Sequence, residues 1–79
     1  MNEELIKDLL NKADESIELI NTHEDEALEN LKHSIYDTIL NHLQIEDDMD
    51  IRDPYYEILF NYELRQINQE QVINKLKLI

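Results

Sequence analysis

The chain has 79 residues and a formal net charge of −12 at pH 7, because 19 acidic residues face seven lysines and arginines. It contains no cysteine, which excludes disulfides, thiolate metal sites and cysteine nucleophiles. It also contains no glycine, the residue that tight hairpin turns and β-bulges require. The composition therefore predicts one all-α domain over residues 1–79.

The first predicted helix covers residues 3–21. Its apolar residues recur at helical spacing and fall within about 140° of a helical wheel. These residues are Leu5, Ile6, Leu9, Leu10, Ala13, Ile17 and Ile20. Leu19 lies outside this face, so it is an apolar residue that a bundle does not need for its own core.

The second predicted helix covers residues 23–43. Thr22 is a residue type that caps helices, and Glu24, Asp25 and Glu26 place negative charge at the positive end of the helix dipole. The apolar residues of this segment spread over about 220° of the wheel. A face that wide contacts two neighbours, which predicts that this is the central helix.

Residues 44–53 interrupt the helical periodicity and are predicted to form an acidic loop. The loop contains five carboxylates, at Glu46, Asp47, Asp48, Asp50 and Asp53. A calcium-binding loop requires a glycine at its sharp turn and oxygen ligands at alternating positions, and this segment does not meet both requirements. A solvated or protein-binding loop is therefore favoured over a calcium site.

The third predicted helix covers residues 54–65, because Asp53 and Pro54 match a cap followed by proline at the first helical position. Tyr55 and Tyr56 are adjacent, so a helix turns their side chains about 100° apart. One ring is predicted to enter the core while the other points outward beside the acidic loop and anchors a partner. In the alternative interpretation, both rings only cover the end of the bundle.

The fourth predicted helix covers residues 69–78, because Asn68 and Gln71 have the spacing of a capping box. Four helices with short connections predict a compact bundle, in which a long helical hairpin packs against a shorter one. The alternative architecture has three helices and a carboxyl-terminal turn.

Motifs for catalysis, metal binding and DNA binding are weak or missing. A phosphate-binding loop or nucleophile elbow requires glycine, and His23, His33 and His42 do not form a close ligand pair with one another. A helix-turn-helix in the last two helices would have too few basic residues to neutralise DNA phosphates. We therefore expect no enzyme activity, no metal or cofactor, and no direct contact with nucleic acid.

The location of the protein follows from its hydropathy. No segment approaches the ~20 apolar residues of a membrane span. The amino terminus is acidic and lacks the apolar stretch of a signal peptide. The sequence therefore predicts a cytoplasmic protein that does not contact membranes.

The segment Asp53-Pro54-Tyr55-Tyr56 resembles the immunity proteins of DNase colicins. Those proteins are acidic four-helix domains of similar size, in which a Tyr-Tyr pair opens a short third helix after an acidic stretch. The likeness is confined to these four residues, and here the proline precedes the tyrosines. As an analogy, the resemblance implies a four-helix inhibitor of a nucleic-acid-acting protein.

The negative charge is unevenly distributed, with −13 over residues 1–57 and +1 over residues 58–79. Such a field repels nucleic acid and attracts basic surfaces. The sequence therefore predicts an inhibitor that covers the basic, nucleic-acid-binding surface of a partner such as a nuclease or toxin. The predicted partner-binding residues are Glu24, Asp25, Glu26, Glu46, Asp47, Asp48, Asp50, Asp53, Tyr55 and Tyr56. The alternative is a structural module that forms a homodimer, or docks into a larger assembly, through the apolar residues Tyr56 and Phe60.

Overall fold

The computed structural model describes residues 3–79 and has an all-α, four-helix fold, as predicted. The helices are α1 (Glu3–Asn21), α2 (Asp25–Leu43), α3 (Met49–Glu63) and α4 (Gln69–Lys77). Met1 and Asn2, which the predicted domain includes, lie outside the described residues. None of the four helices combines the length and apolar character that crossing a membrane requires.

The helix at the centre of the fold is α1, and the prediction that α2 is central is wrong. Helices α1 and α3 each contact the other three helices, and α1 supplies five of the eleven buried core residues, more than any other helix; α2 contacts α1 and α3 but, within the described residues, not α4. The reason is that α2 buries few of its apolar residues. The wide apolar face of α2 is fully buried only at Ile35 and Ile39, both in its carboxyl-terminal half, while Ala27 near its start is exposed.

The core is formed by apolar residues of all four helices. They are Leu5, Ile6, Leu9, Leu10, Ala13, Ile35, Ile39, Tyr55, Leu59, Val72 and Leu76. Burying one leucine or isoleucine side chain contributes roughly 1.5–3 kcal/mol. Toward the end of α1 the predicted apolar face is less covered, since Ile17 is partly exposed and Ile20 is 37% exposed.

Helix α2 starts at Asp25, so the predicted start at residue 23 with a Thr22 cap is wrong. The Thr22 hydroxyl donates to the Glu18 carbonyl at 3.2 Å and therefore belongs to the end of α1. His23 has left-handed backbone (φ 57°), and the Glu24 N–H bonds to a carbonyl oxygen of α1 at 3.1 Å. This is a Schellman motif, which turns the chain out of α1 before α2 can begin.

Helices α2 and α3 end in the same way. Gln44 (φ 56°) and Arg65 (φ 61°) have left-handed backbone. In each case the next residue donates its N–H to the carbonyl five residues before it, at 3.2 Å after Gln44 and 2.9 Å after Arg65. Three Schellman motifs thus end helices without the glycine that usually occupies their left-handed position.

Helix α3 begins at Met49, five residues before the predicted start at Pro54. The side chain of Asp48 caps it by accepting the Asp50 N–H at 3.0 Å, so Asp53 is not the cap. Pro54 lies inside the helix, where it removes a single backbone hydrogen bond. The predicted loop over residues 44–53 is therefore wrong in extent, because its second half is helical.

Helix α4 has the predicted capping box. The Asn68 side chain accepts the Gln71 N–H, and the Gln71 side chain accepts the Asn68 N–H, both at 2.8 Å. The last element is therefore a capped helix, as in the favoured architecture.

Candidate functional site

The structure divides the ten predicted partner-binding residues between the two ends of α2. Glu24, Asp25 and Glu26 lie at its start, whereas residues 46–56 follow its carboxyl end. Because α2 contains 19 residues, the acids that follow its carboxyl end are about 28 Å from those at its start, whereas Tyr56 packs against Tyr36 near the middle of α2. The acids at the two ends of α2 therefore do not form one cluster, and each end is considered separately.

Tyr55 is a core residue, so its predicted contact with a partner is wrong. Its side chain is 5% exposed and belongs to the same buried cluster as Leu59. The cause is the position of Tyr55 one helical turn before Leu59, on the face of α3 that packs against the rest of the fold. Of the two tyrosines, only Tyr56 reaches the surface.

Tyr56 belongs to an aromatic cluster that joins α2 to α3, formed by Tyr36, Tyr56 and Phe60. The Tyr56 ring centroid lies 5.1 Å from that of Tyr36 and 6.3 Å from that of Phe60. The Lys32 ammonium lies 5.6 Å from the centre of the Tyr56 ring, within cation–π range. Burial raises the pKa of Tyr56 to about 12, and the nearby Glu63 carboxylate adds to this effect. Its hydroxyl is therefore protonated at neutral pH.

Arg52 connects the acidic segment to the aromatic cluster. Its guanidinium bonds to Asp47 through Nη1 and to Asp53 through Nε at 3.4 Å. The guanidinium carbon also lies 4.2 Å from the centre of the Tyr36 ring. Arg52 therefore compensates part of the charge of two predicted site residues.

The acids outside this pairing are Glu46, Asp48 and Asp50, all of which are exposed. Within residues 3–79, none of them forms an ion pair. Asp48 uses one carboxylate oxygen to cap α3. The helix dipole favours negative charge near the amino-terminal end of the helix. These carboxylates remain accessible to a partner.

The early start of α3 creates a surface that we call the acidic face, formed by Asp50, Asp53 and Glu57. Residues separated by three, four or seven positions share one side of a helix, and all three side chains are exposed. Glu57 was not among the predicted site residues. Its spacing from Asp50 and Asp53 would have identified it only if the helix had been predicted to start at Met49.

Exposed apolar residues accompany these acids. Met49 is 61% exposed, and together with Ile51 it lines a shallow hollow shared with Glu46, Asp47 and Asp48. Both residues were missed as binding residues. The available signal was the presence of two large apolar side chains within a run of acids.

The opposite end of the molecule, where α1 turns into α2, carries a second acidic surface. Glu15, Glu18 and Glu24 line a groove together with Leu19, and no lysine or arginine of the described chain lines it. The Thr22 hydroxyl donates to the Glu24 carboxylate at 3.2 Å. The predicted residues Glu24, Asp25 and Glu26 therefore lie at this end, away from the acidic face.

Two of the three histidines pair with carboxylates. His33 lies 3.5 Å from Glu29, and His42 lies 3.1 Å from Asp8. Over the described part of the chain, no three His, Asp or Glu side chains are grouped closely enough to hold a metal ion.

Comparisons with protein-family models, with curated proteins and with solved structures find no match to this chain. The resemblance to immunity proteins therefore depends on Asp53-Pro54-Tyr55-Tyr56 alone. In the structure this segment lies within α3 and does not open it, so the helix start that supported the analogy is not present.

Proposed function

We propose that this protein is a cytoplasmic, non-enzymatic inhibitor that binds the basic, nucleic-acid-binding surface of a partner protein. The observation that supports this proposal is the acidic face of α3. Its exposed carboxylates are extended at the start of the helix by Glu46 and Asp48, which line one shallow hollow with Asp50 and the exposed Met49. Acids around an apolar anchor are a common arrangement in surfaces that bind basic proteins.

The mechanism is competition. Carboxylates on the acidic face pair with lysines and arginines that would otherwise bind phosphates, while Met49 and Ile51 supply apolar contact area. The net charge of −12 attracts a basic partner over several ångströms before contact, and salt screens this attraction. The acids at the α1–α2 end strengthen the field without contacting the partner.

A matched pair of variants tests which acidic surface binds. One variant carries Glu46→Gln, Asp48→Asn and Asp50→Asn, and asparagine retains the capping ability of Asp48. Asp47 is kept because it bonds to Arg52. The control carries Glu24→Gln, Asp25→Asn and Glu26→Gln, which removes the same number of charges at the other end.

Partners are captured from the native host, identified by mass spectrometry, purified and titrated with each variant at low and high salt. We expect the first variant to bind the partner at least about tenfold more weakly, and we expect the control variant to lose much less affinity. We also expect nucleic acid to displace this protein from its partner. If neither variant loses affinity, or if no captured partner is basic, the inhibitor proposal is wrong.

The second candidate function is a structural module that self-associates. It is supported by Phe60 on α3 and by Leu64, the residue that follows the helix, which are 43% and 50% exposed. Sedimentation of the purified protein at two salt concentrations separates the two functions. An oligomer that grows with protein concentration and ignores salt favours the structural module, and a monomer favours the inhibitor.

A further inference from the structure

We propose that the element recognised on the partner is a basic amphipathic helix, which lies along an exposed apolar stripe of α3. This inference rests on the proposed function and adds the shape and chemistry of the partner. The apolar stripe is defined by Met49, Tyr56, Phe60 and Leu64.

The apolar stripe occupies a narrow part of the helix surface. At 100° per residue its four members fall within about 80° of one another and extend along roughly four turns. Met49, Phe60 and Leu64 are exposed, and Tyr56 supports Phe60 by stacking on it at an interplanar angle of 24°. Apart from Asp53, which is exposed in the same direction between Met49 and Tyr56, this strip matches the apolar side of a helix, with its i, i+3, i+4 and i+7 anchors.

Met49, Phe60 and Leu64 are not part of the core, whereas Tyr56 is partly buried and packs against it. The side of α3 that packs inward carries Tyr55, Leu59 and Glu63, all of which are buried. The centre of the stripe is turned about 100° from the centre of that side, and Tyr56 is its member nearest to the core. Within residues 3–79, its exposed members lie outside the buried core cluster, so they are available to a partner.

Acids border the apolar stripe on both sides. On α3, Glu57 and Asp50 lie just beyond one edge of the stripe, while Asp53 lies within its angular range, between the directions of Phe60 and Leu64. On the other side Glu29 of α2 lies near Tyr56, whose pKa its charge helps to raise. Two cations also lie at this border, Lys32 over the Tyr36 and Tyr56 rings and Arg52 over the Tyr36 ring.

These charges favour a basic partner helix over a second copy of this chain. A partner helix with apolar residues on one side and lysine or arginine at its borders would place each cation beside a carboxylate. Two copies packed antiparallel through the same stripe about a twofold axis would instead bring their acidic faces together, and a parallel pair would place each acidic face beside Glu29 of the other copy. Like charges at such a contact oppose association.

The test uses a synthetic helical peptide of about four turns, with leucine at the i, i+3, i+4 and i+7 positions and lysine elsewhere. A scrambled peptide of the same composition has no apolar side, and a third peptide has glutamate in place of lysine. Binding to the full chain is measured by calorimetry. We expect the amphipathic lysine peptide to bind at least about tenfold more tightly than either control peptide.

Two surface variants locate the binding. Phe60→Ser should weaken the peptide by about tenfold or more. Ile20→Ser replaces a similarly exposed apolar residue of α1 and should leave affinity unchanged. Circular dichroism establishes that both variants are folded. Equal effects of the two variants, or equal binding of the scrambled peptide, would overturn the helix inference.

The purified host partner separates failure of this inference from failure of the proposed function. If Phe60→Ser binds that partner as tightly as the unchanged protein, while neutralising Glu46, Asp48 and Asp50 weakens binding, only the helix inference is wrong. If neither change matters, the proposed function is wrong as well.

Discussion

Three non-glycine residues, His23, Gln44 and Arg65, have left-handed backbone at the ends of α1, α2 and α3. A side chain with a Cβ atom crowds the following carbonyl in this conformation, at a cost of roughly 1–2 kcal/mol. The hydrogen bonds of each Schellman motif compensate for that cost. A residue without a Cβ atom at any of these three positions should therefore stabilise the folded state.

Replacing any one of these residues by glycine should raise the free energy of unfolding by about 0.5–1 kcal/mol, because glycine adopts positive φ without steric strain. Urea denaturation of His23→Gly, Gln44→Gly and Arg65→Gly measures the effect. The control is Asn11→Gly in the middle of α1, which should lower stability by about 1 kcal/mol. Destabilisation by all three substitutions would show that the helix ends differ from those described.

Glu63 is a buried acid, 7% exposed, and within the described residues its Oε1 atom has no hydrogen-bond partner. Burial raises the pKa of Glu63 above its ordinary value of 4.5, and the nearby Ser16 hydroxyl offsets only part of this shift. A raised folded-state pKa means that the native protein holds this proton more tightly than the unfolded chain. The contribution of Glu63 to stability therefore becomes less favourable as the pH rises above 4.5.

Glu63→Met should increase the free energy of unfolding at pH 7 by about 1 kcal/mol, since it removes a carboxylate with an unsatisfied oxygen. The gain should shrink as the pH falls through the raised pKa of Glu63 toward 4.5, and it should change no further below 4.5, where the carboxyl is protonated in both the folded and the unfolded state. Denaturation at several pH values measures both effects. Glu57→Met, on the exposed side of the same helix, is the control. It should show neither the gain in stability at pH 7 nor its dependence on pH.

At the scale of elements, the start of α3 has the largest consequence for function. If α3 began at Pro54, Asp50 and Asp53 would lie in a loop with no defined spacing from Glu57. Because α3 begins at Met49, these acids share one side of a helix beside the apolar stripe. The presence of Pro54 in the second turn shows that the Asp48 cap and the Arg52 contacts outweigh the lost backbone bond.

Pro54→Ala should therefore raise the free energy of unfolding by about 1–3 kcal/mol, because alanine restores the backbone donor and removes the clash of the proline ring. Thermal denaturation measures this change, with Glu57→Ala as a control for an ordinary exposed site on α3. Hydrogen exchange should also show protection of the backbone amides of residues 53–56. A loss of stability in Pro54→Ala would indicate that the helix begins at Pro54 instead.

At the scale of the whole molecule, the net charge of −12 is confined to a body of 32 × 26 × 20 Å. The Debye length is about 30 Å at 0.01 M salt and about 3 Å at 1 M. At low salt each carboxylate therefore interacts with most of the others, and mutual repulsion destabilises the compact state.

Stability should accordingly increase by about 1–2 kcal/mol when sodium chloride is raised from ~0.01 M to ~0.5 M. Urea denaturation at each salt concentration measures the increase. The variant with Glu24→Gln, Asp25→Asn and Glu26→Gln has less charge to screen and should gain less. A decrease with salt would mean that pairs such as Arg52–Asp47 outweigh the general repulsion.

Much of this architecture was predictable from local patterns. The apolar spacing of α1 and the Asn68–Gln71 capping box depend on residues close in sequence, so the helical range of α1 and the start of α4 could be predicted. The start of α3 could not, because Asp48–Asp50 and Asp53–Pro54 offer competing caps. Only the contacts of Arg52 with Asp47 and the Tyr36 ring, which lies on another helix, distinguish them.

The sequence by itself determined that this chain is all-α and strongly acidic, since composition and periodicity do not depend on how the helices pack. Tertiary structure decided which helix is central, which tyrosine is buried, and which acids lie together. These properties follow from the rotation of each helix about its axis and from the length of α2. Both determine which residues far apart in sequence lie close together, and a pattern of neighbouring residues does not contain that information.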